Sequence, residues 1–393
     1  MSGPTRRPAR VLVLRGHQAT PWELRSWELL DPERFEVALL CTASNDWDIE
    51  TVGLARRPAR TLRDLAPLGG AGALATRLFG DRYRDADDHF AWADLVHAEE
   101  LSYWFTAEAA RRKARHGFRL ALTVWETLPL LRAYRTPQAR ARRARALAAA
   151  DLYLPATERA RAALRLEGIP DDRIVVCPPG IDVERFQAPS GGQAPAEHVL
   201  VSPGRLVWEK GHHDVLRALA ALHRGIVEAP PESRPRVLVV GEGPERARLL
   251  AHAAELGVAD HVEVRGVPYH EMPGIYARAS AVVLASLPHA ALELPGRPPR
   301  AFWEEQFGMV LAEALAARVP IVAARSGAIP EVCGTDAATF DPGDWMELAR
   351  VLAAGPLARA PGQRATPDPE RIDRYSTDAA ARRLEAAYDR LLP

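Results

Sequence analysis

Two glutamates eight positions apart, Glu305 and Glu313, frame the segment with the clearest chemical content, W-E-E-Q-F-G-M-V-L-A-E-A-L-A-A from 303 to 317. Gly308 punctuates the start of a helix in which Met309 to Ala317 are apolar except for Glu313. A carboxylate there is expensive to ionise in a dry core, so it must face a cleft, a hydroxyl-bearing ligand or an arginine. A buried Glu–Arg pair is the purely structural alternative. The free amides of Met309 and Val310, helped by the helix dipole, form a site suited to phosphate.

A second constellation is V-S-P-G-R-L-V-W-E-K-G, residues 201 to 211. Arg205 and Lys210 stand on the loop after an apolar run of strand character. A forked guanidinium and a compact ammonium on such a loop can clamp a diphosphate from two directions. Composition singles out the lysine. The chain has 51 basic residues, yet only Lys113 and Lys210 are lysines, and Asn45 is its only asparagine. A genome that converts Lys to Arg wherever it can leaves lysine where a point charge on a flexible stem is needed. Chance survival, and a solvated loop charge, are the plain alternatives.

Metal-ligand spacing is poor. Asp46-Trp47-Asp48 and the cluster Asp85, Asp87 and Asp88 read as solvated acidic turns. His97, Glu99 and Glu100 follow a strand and are placed to line a cleft, without ligand spacing. The expectation is a site that needs no metal.

These groups must be positioned by something, and the apolar pattern says what. Val11-Leu14, Phe35-Leu40, Arg119-Val124, Asp151-Leu154 and Ile174-Cys177 have strand character. Trp22-Leu30, Glu100-Arg115 and Glu158-Leu166 carry apolar residues at helical spacing. Residues 187 to 197 are Pro/Gly/Ala-rich and read as a linker. Alternation then restarts with strands His198-Val201, Arg236-Val240, His261-Val264, Ala281-Ala285 and Pro320-Ala323. Helices Asp214-His223, Glu245-Leu256, one through Ile275 and one from Met309 lie between them. The expected fold is α/β, with two Rossmann-like, doubly wound parallel-sheet domains whose strand ends carry the ligand. The irregular stretch from Ser286 to Trp303 is longer than a structural loop needs to be.

The chain has 393 residues, with 47% hydrophobic, 26% charged and zero formal net charge, which suits a globular enzyme and gives no global attraction to nucleic acid. Cys41, Cys177 and Cys333 are widely spaced and read as reduced core thiols, and no segment has the length of a signal peptide or membrane span. A cytoplasmic protein is expected. Arg132 to Arg145 carries six arginines, beside Arg111-Arg112-Lys113. A solvated face is the default reading; contact with anionic lipid or a phosphorylated acceptor is the other.

With these motifs in order, the chain resembles glycosyltransferase family 4, retaining enzymes of the GT-B fold that include glycogen-synthase-like and mannosyltransferase-like members. The resemblance rests on G-R-L-V-W-E-K-G, V-G-E-G-P (240 to 244), V-R-G-V-P (264 to 268), the E-x7-E block and S-G-A-I-P-E-V (326 to 332). It is extended by A-D-L-Y-L-P-A-T-E and P-P-G-I-D-V-E-R-F in the first half and is loose upstream of about residue 110.

The resemblance implies a nucleoside-diphosphate sugar as donor, a hydroxyl acceptor (carbohydrate, lipid-linked or small molecule), and no cofactor or metal. Arg205 and Lys210 would contact the diphosphate, Glu305 would lie near the transferred sugar, and Glu313 would bind the ribose. The backbone at Val267 would meet the base, and the Met309 and Val310 amides would hold phosphate. Of the family's glycine-rich first loop, only Gly16 stands here, in R-G-H-Q-A-T-P-W-E. Trp125, followed by Glu126, occupies the place of a family histidine. Trp125 is thereby a candidate to stack on a sugar and Glu126 to bond the acceptor, or else they are a core residue and a helix-start carboxylate. Domains 1–186 and 198–373 are implied, with a last helix at 374–393 returning to the first domain and a cleft that closes about the two crossings. A nucleotide-sugar epimerase, a phosphorylase or a non-catalytic binding subunit are the alternatives.

Overall fold

The computed structural model describes residues 7–65, 81–130, 136–187, 195–230, 233–288 and 303–392. Most of the expected linker, much of the stretch from Ser286 to Trp303, and residues 132–135 of the arginine-rich segment lie outside them. The chain divides into two units, Met1–Ile181 with Tyr375–Pro393, and Asp182–Arg374.

The first unit holds a parallel six-stranded sheet in the order β3-β2-β1-β4-β5-β6. Its strands are β1 (Ala9–Leu14), β2 (Phe35–Cys41), β3 (Ala55–Pro58), β4 (Leu95–Glu99), β5 (Arg119–Val124) and β6 (Leu152–Pro155). Alternation along β1 sends Val11 and Val13 into one core and Leu12 and Leu14 into the other. Helices therefore cover both faces, as a parallel sheet requires. The chain runs outward from β1 to β2 and β3, then crosses to β4, so the strand order reverses between β1 and β4.

Helix Thr377–Asp389, capped by the Ser376 hydroxyl accepting from the Ala379 amide, lies in this unit. Its Leu384, Ala387 and Tyr388 share a core with Val11, Val13 and Trp27. The Tyr388 hydroxyl accepts from Trp27 Nε1 at 2.9 Å and lies 2.6 Å from His97 Nδ1. Ile181 tethers the returning chain, its amide donating to Tyr375 O at 2.8 Å and its carbonyl accepting from Thr377 at 3.0 Å.

The second unit repeats the plan in the order β12-β11-β10-β7-β8-β9. The strands are β7 (Val199–Pro203), β8 (Arg236–Val240), β9 (Val262–Arg265), β10 (Ala281–Leu284), β11 (Ile321–Ala324) and β12 (Ala337–Phe340). Here the order reverses between β7 and β10. In open α/β sheets the crevice outside the strand ends at such a reversal is where ligands sit.

Four expectations need correction. The first unit ends at Ile181 rather than residue 186, because Phe186, on the short helix Val183–Phe186, packs on Tyr269 and Tyr276 of the second unit. The helix expected from Glu100 begins at Trp104, since Glu100 itself is left-handed at φ 57°. In the segment Ile174–Cys177, only Ile174 completes a bridge to Tyr153, and Pro178 and Pro179 lack the amides to extend the pairing. His97 and Glu99 lie within β4, not after it. The strands β3 and β12 carry too little apolar pattern to be read beforehand.

The three cysteines are free thiols, Cys177 and Cys333 buried and Cys41 half-buried. Among the described residues no helix is long and apolar enough to cross a membrane.

Candidate functional site

In the second unit the loops after β7 and β10 meet. Gly211 makes this approach feasible: its φ is 65°, and a Cβ there would lie 1.9 Å from the Ala285 carbonyl oxygen. The Leu287 amide donates to Glu209 O at 2.9 Å, tying the loops together. Lys210, at the end of the turn Trp208–Lys210, is thus directed at the segment before helix Met309–Ala316.

There Lys210 Nζ donates to Glu305 Oε2 at 2.6 Å, and Ser286 Oγ donates to the same oxygen at 2.7 Å. The ammonium also lies 4.9 Å from the centre of the Trp303 ring. Lys210 and Glu305 expose only 13% and 7% of their side chains, so the pair is largely desolvated and its hydrogen bond charge-assisted. Arg205 differs. Its side chain is 68% exposed, and its nearest acid, Glu209, is 3.9 Å away. One loop therefore carries one locked cation and one exposed cation. The other groups singled out for the donor are dispersed along the same strand ends. Val267 is half-buried in the loop after β9, and Met309 and Val310 open their helix behind Gly308 with no side-chain cap.

Glu313 is buried on that helix, and its partners are phenols. Tyr276 donates to Glu313 Oε2 at 2.8 Å, and Tyr269 adds a second hydrogen bond. The Glu–Arg alternative is not what the fold builds: Arg185 stacks over Tyr269, 4.7 Å from its ring centre. Burial pushes the Glu313 carboxyl up to about 7, against the opposing pull of the two tyrosines and Arg185.

The first unit gathers a separate set of charges at the carboxyl ends of β1, β4 and β5. Arg15 is fully buried, donating to Glu23 Oε1 at 2.7 Å and standing 3.8 Å from Glu99. Gly16 follows with φ 60°, and the space a side chain would need there is filled by the Phe105 ring. That packing accounts for a glycine at 16 without a ligand. His17 bridges Asp81 and Thr42, whose Oγ1 is 3.0 Å from Nδ1. Burial alone would raise the Asp81 carboxyl, but the His17 hydrogen bond and backbone amides hold it below the usual range.

Trp125 and Glu126 follow β5. Glu100 accepts from both their amides, at 2.7 and 3.0 Å, while Trp125 Nε1 donates to Glu99 Oε1 at 2.6 Å. Glu126 Oε1 accepts from the Leu128 amide at 2.9 Å, bracing its own turn. Burial and the Glu99 charge push Glu100 up to about 8, and burial with Glu23 raises Glu99. Trp125 is thus held by its ring nitrogen on an acid that local pattern could not have assigned to it.

Ser286, Tyr276, Tyr269 and Arg15 were not read from the sequence. Ser286 had a usable signal, a hydroxyl at the end of a central strand, but nothing local marks Tyr276 as a partner of Glu313. Asp46 pairs with Arg63, Asp85 with Arg60, and Asp87 with Arg112 and Arg115. Among the described residues no three His, Cys, Asp or Glu side chains are grouped to hold a metal ion.

Residues 26–185 match the family model Glycosyltransferase Family 4, and residues 184–354 match Glycosyl transferases group 1. The GDP-mannose-dependent alpha-(1-6)-phosphatidylinositol monomannoside mannosyltransferase of Mycolicibacterium smegmatis is 33% identical over 199 residues, covering 45% of this chain and 48% of that protein. The D-inositol 3-phosphate glycosyltransferase of Corynebacterium jeikeium is 30% identical over 243 residues, 56% of this chain and 52% of that one. The chain thus spans about half the length of the curated relatives it matches. Anabaena Alr3699/HepE in complex with UDP and glucose superposes with a TM-score of 0.71 at 18% identity, over 98% of this chain and 100% of that one. Sucrose-phosphate synthase from Thermosynechococcus elongatus gives 0.68 at 18% identity, over 98% and 99%. Those likenesses establish the architecture of two parallel sheets as the GT-B fold, and the two family models, running on from one another between residues 26 and 354, place the chain in glycosyltransferase family 4.

Proposed function

We propose that this chain is a retaining, metal-independent transferase that moves a hexose-type sugar from a nucleoside-diphosphate sugar to a hydroxyl acceptor. The observation that carries this reading is the desolvated Lys210–Glu305–Ser286 group at the strand-order reversal of the second unit. When the sugar leaves, negative charge builds on the oxygen that bridged it to the diphosphate. Lys210 has two further N–H donors for that charge, Arg205 is free to swing onto it, and the amides of Met309 and Val310 add the positive end of a helix. Lys210 and the helix amides, already oriented, stabilise a transition state without reorganising, and each such group is worth about 2–4 kcal/mol.

Glu305 has two tasks in this scheme. One oxygen, Oε2, fixes Lys210; the other, Oε1, is left to a sugar hydroxyl. Glu313 serves the ribose and Val267 the base. Retention follows if the departing phosphate itself assists the acceptor hydroxyl on the face it leaves, which needs no protein nucleophile. On the first unit, Trp125 offers an aromatic face to an acceptor and Glu126 a carboxylate.

The relatives order the donors to be tried: GDP-mannose from the Mycolicibacterium enzyme, and UDP-glucose from the Anabaena protein, which has been solved in complex with it. A bound donor stabilises by mass action, so a thermal-shift panel of GDP-mannose, UDP-glucose and ADP-glucose tests the proposal. One donor should raise the melting temperature well above the others. No shift with any nucleotide sugar at millimolar concentration would count against it.

A further inference from the structure

Helix Pro137–Ala149 is made almost wholly of arginine and alanine, and it contains no acidic residue. Of its 13 residues only Ala146 is fully buried, so tertiary packing explains little of its sequence. Ala141, Ala144, Arg140 and Arg145 are all exposed. The neighbouring helix Trp104–His116 contributes Arg111, and Arg82 joins the two.

These cations are poorly neutralised. Arg143 pairs with Glu167 and Arg111 with Glu108, but among the described residues Arg82, Arg142 and Arg145 make no ion pair. Burial and the charges of Arg145, Arg82, Arg112 and Arg142 push the Arg111 guanidinium down to about 10, and burial with Arg82 lowers Arg142. A groove between the helices is lined by Arg111, Lys113 and Arg145 over Ala114 and Ala148. At the approach to the helix, Leu130 is 64% exposed, and its amide donates to Glu167 at 2.6 Å. The carboxylate that anchors Arg143 therefore also anchors an exposed leucine.

Unpaired arginines alone would suit any anion. Arginines interspersed with exposed alanine and an anchored, outward leucine suit a partner that is anionic at its surface and apolar beneath. We propose that the face formed by helices Trp104–His116 and Pro137–Ala149 docks on an anionic lipid bilayer, with a headgroup phosphate among Arg82, Arg111, Arg142 and Arg145 and Leu130 entering the interface. This goes beyond the transferase reading and does not depend on it.

The test is co-sedimentation of the full chain with vesicles of phosphatidylcholine, alone or mixed with phosphatidylglycerol. The wild type should bind only the mixed vesicles and be released as salt shortens the Debye length to about 3 Å near 1 M. R142A/R145A should bind them about thirty-fold more weakly, at roughly five-fold per arginine. Its melting temperature and donor-dependent nucleotide release should match the wild type, which separates lost docking from lost folding or lost chemistry. Equal binding to both vesicle types, or undiminished binding by the variant, would overturn the proposal. So would displacement by inorganic phosphate at matched ionic strength, which would identify a soluble anion as the ligand.

Discussion

Lys210 and Glu305 are 95 positions apart in the chain, yet their charged atoms meet at 2.6 Å in a site that exposes only 13% and 7% of the two side chains. Such a pair is costly to break from one side, because the remaining charge stays buried. Lys210→Ala should destabilise the chain by about 3–5 kcal/mol. Adding Glu305→Gln should recover part of that loss, since the amide can still accept from Ser286. Urea titrations of the single and double variants read this coupling, and simple additivity of the two changes would show that the two charges do not stabilise each other.

Glu313 gives the stability of the chain a pH signature. Its carboxyl is raised to about 7, above the value of 4.5 ordinary for glutamate, mainly by burial. Between those values the native state holds a proton that the unfolded chain releases, so this contribution is full below pH 4.5 and lost as pH rises through 7. Glu313→Gln removes the titration. Relative to the variant, the wild type should weaken by on the order of 3 kcal/mol between pH 4.5 and pH 8. Melting curves of both proteins across that range measure it, and a constant difference would contradict the assigned cause.

Tyr388 joins the last helix to the first unit through one hydroxyl between Trp27 and His97. Tyr388→Phe keeps the ring and leaves both buried nitrogens short of a partner. A loss of about 1–3 kcal/mol is expected, with amide exchange accelerating around β1 and β4 and not in residues 199–340. Exchange that accelerates equally in both regions would show that the helix does not belong to the first unit alone.

Glu100 braces the Trp125–Glu126 turn from a left-handed backbone conformation. Glu100→Ala should cost about 1–3 kcal/mol through two orphaned amides. Glu100→Gln should restore most of it, because the side-chain carbonyl can still accept. A glutamine variant as unstable as the alanine one would locate the effect in charge rather than in bracing.

Much of this molecule was legible because its information is local. Val11 to Leu14 announce a strand by their apolar run, and Glu158-Leu166 announces a helix by apolar residues at helical spacing. Lys210 stood out by composition in an arginine-rich chain. What stayed hidden is what depends on strand order. The carboxylate that receives Lys210, the serine that shares it, and the tyrosines on Glu313 come from elements brought together only by the reversal between β7 and β10. The left-handed turn at Glu100 was hidden for another reason. Its cause lies in the amides of Trp125 and Glu126, reached across the sheet, and glutamate carries no local preference for that conformation.

The measurement that bears most directly on the central claim is release of nucleoside diphosphate from the donor that gives the largest thermal shift, followed in excess EDTA. Wild type, Lys210→Ala, Lys210→Arg and Arg205→Ala should be compared under conditions where each is folded. The account predicts that the wild type turns over with chelator present, and that Lys210→Ala loses about 2–4 kcal/mol of transition-state stabilisation, roughly thirty-fold to a thousand-fold in rate. Lys210→Arg should also be slow, because a fork cannot occupy the point where the ammonium meets Glu305. Undiminished turnover in both Lys210 variants would contradict the account, as would activity abolished by EDTA and restored by manganese.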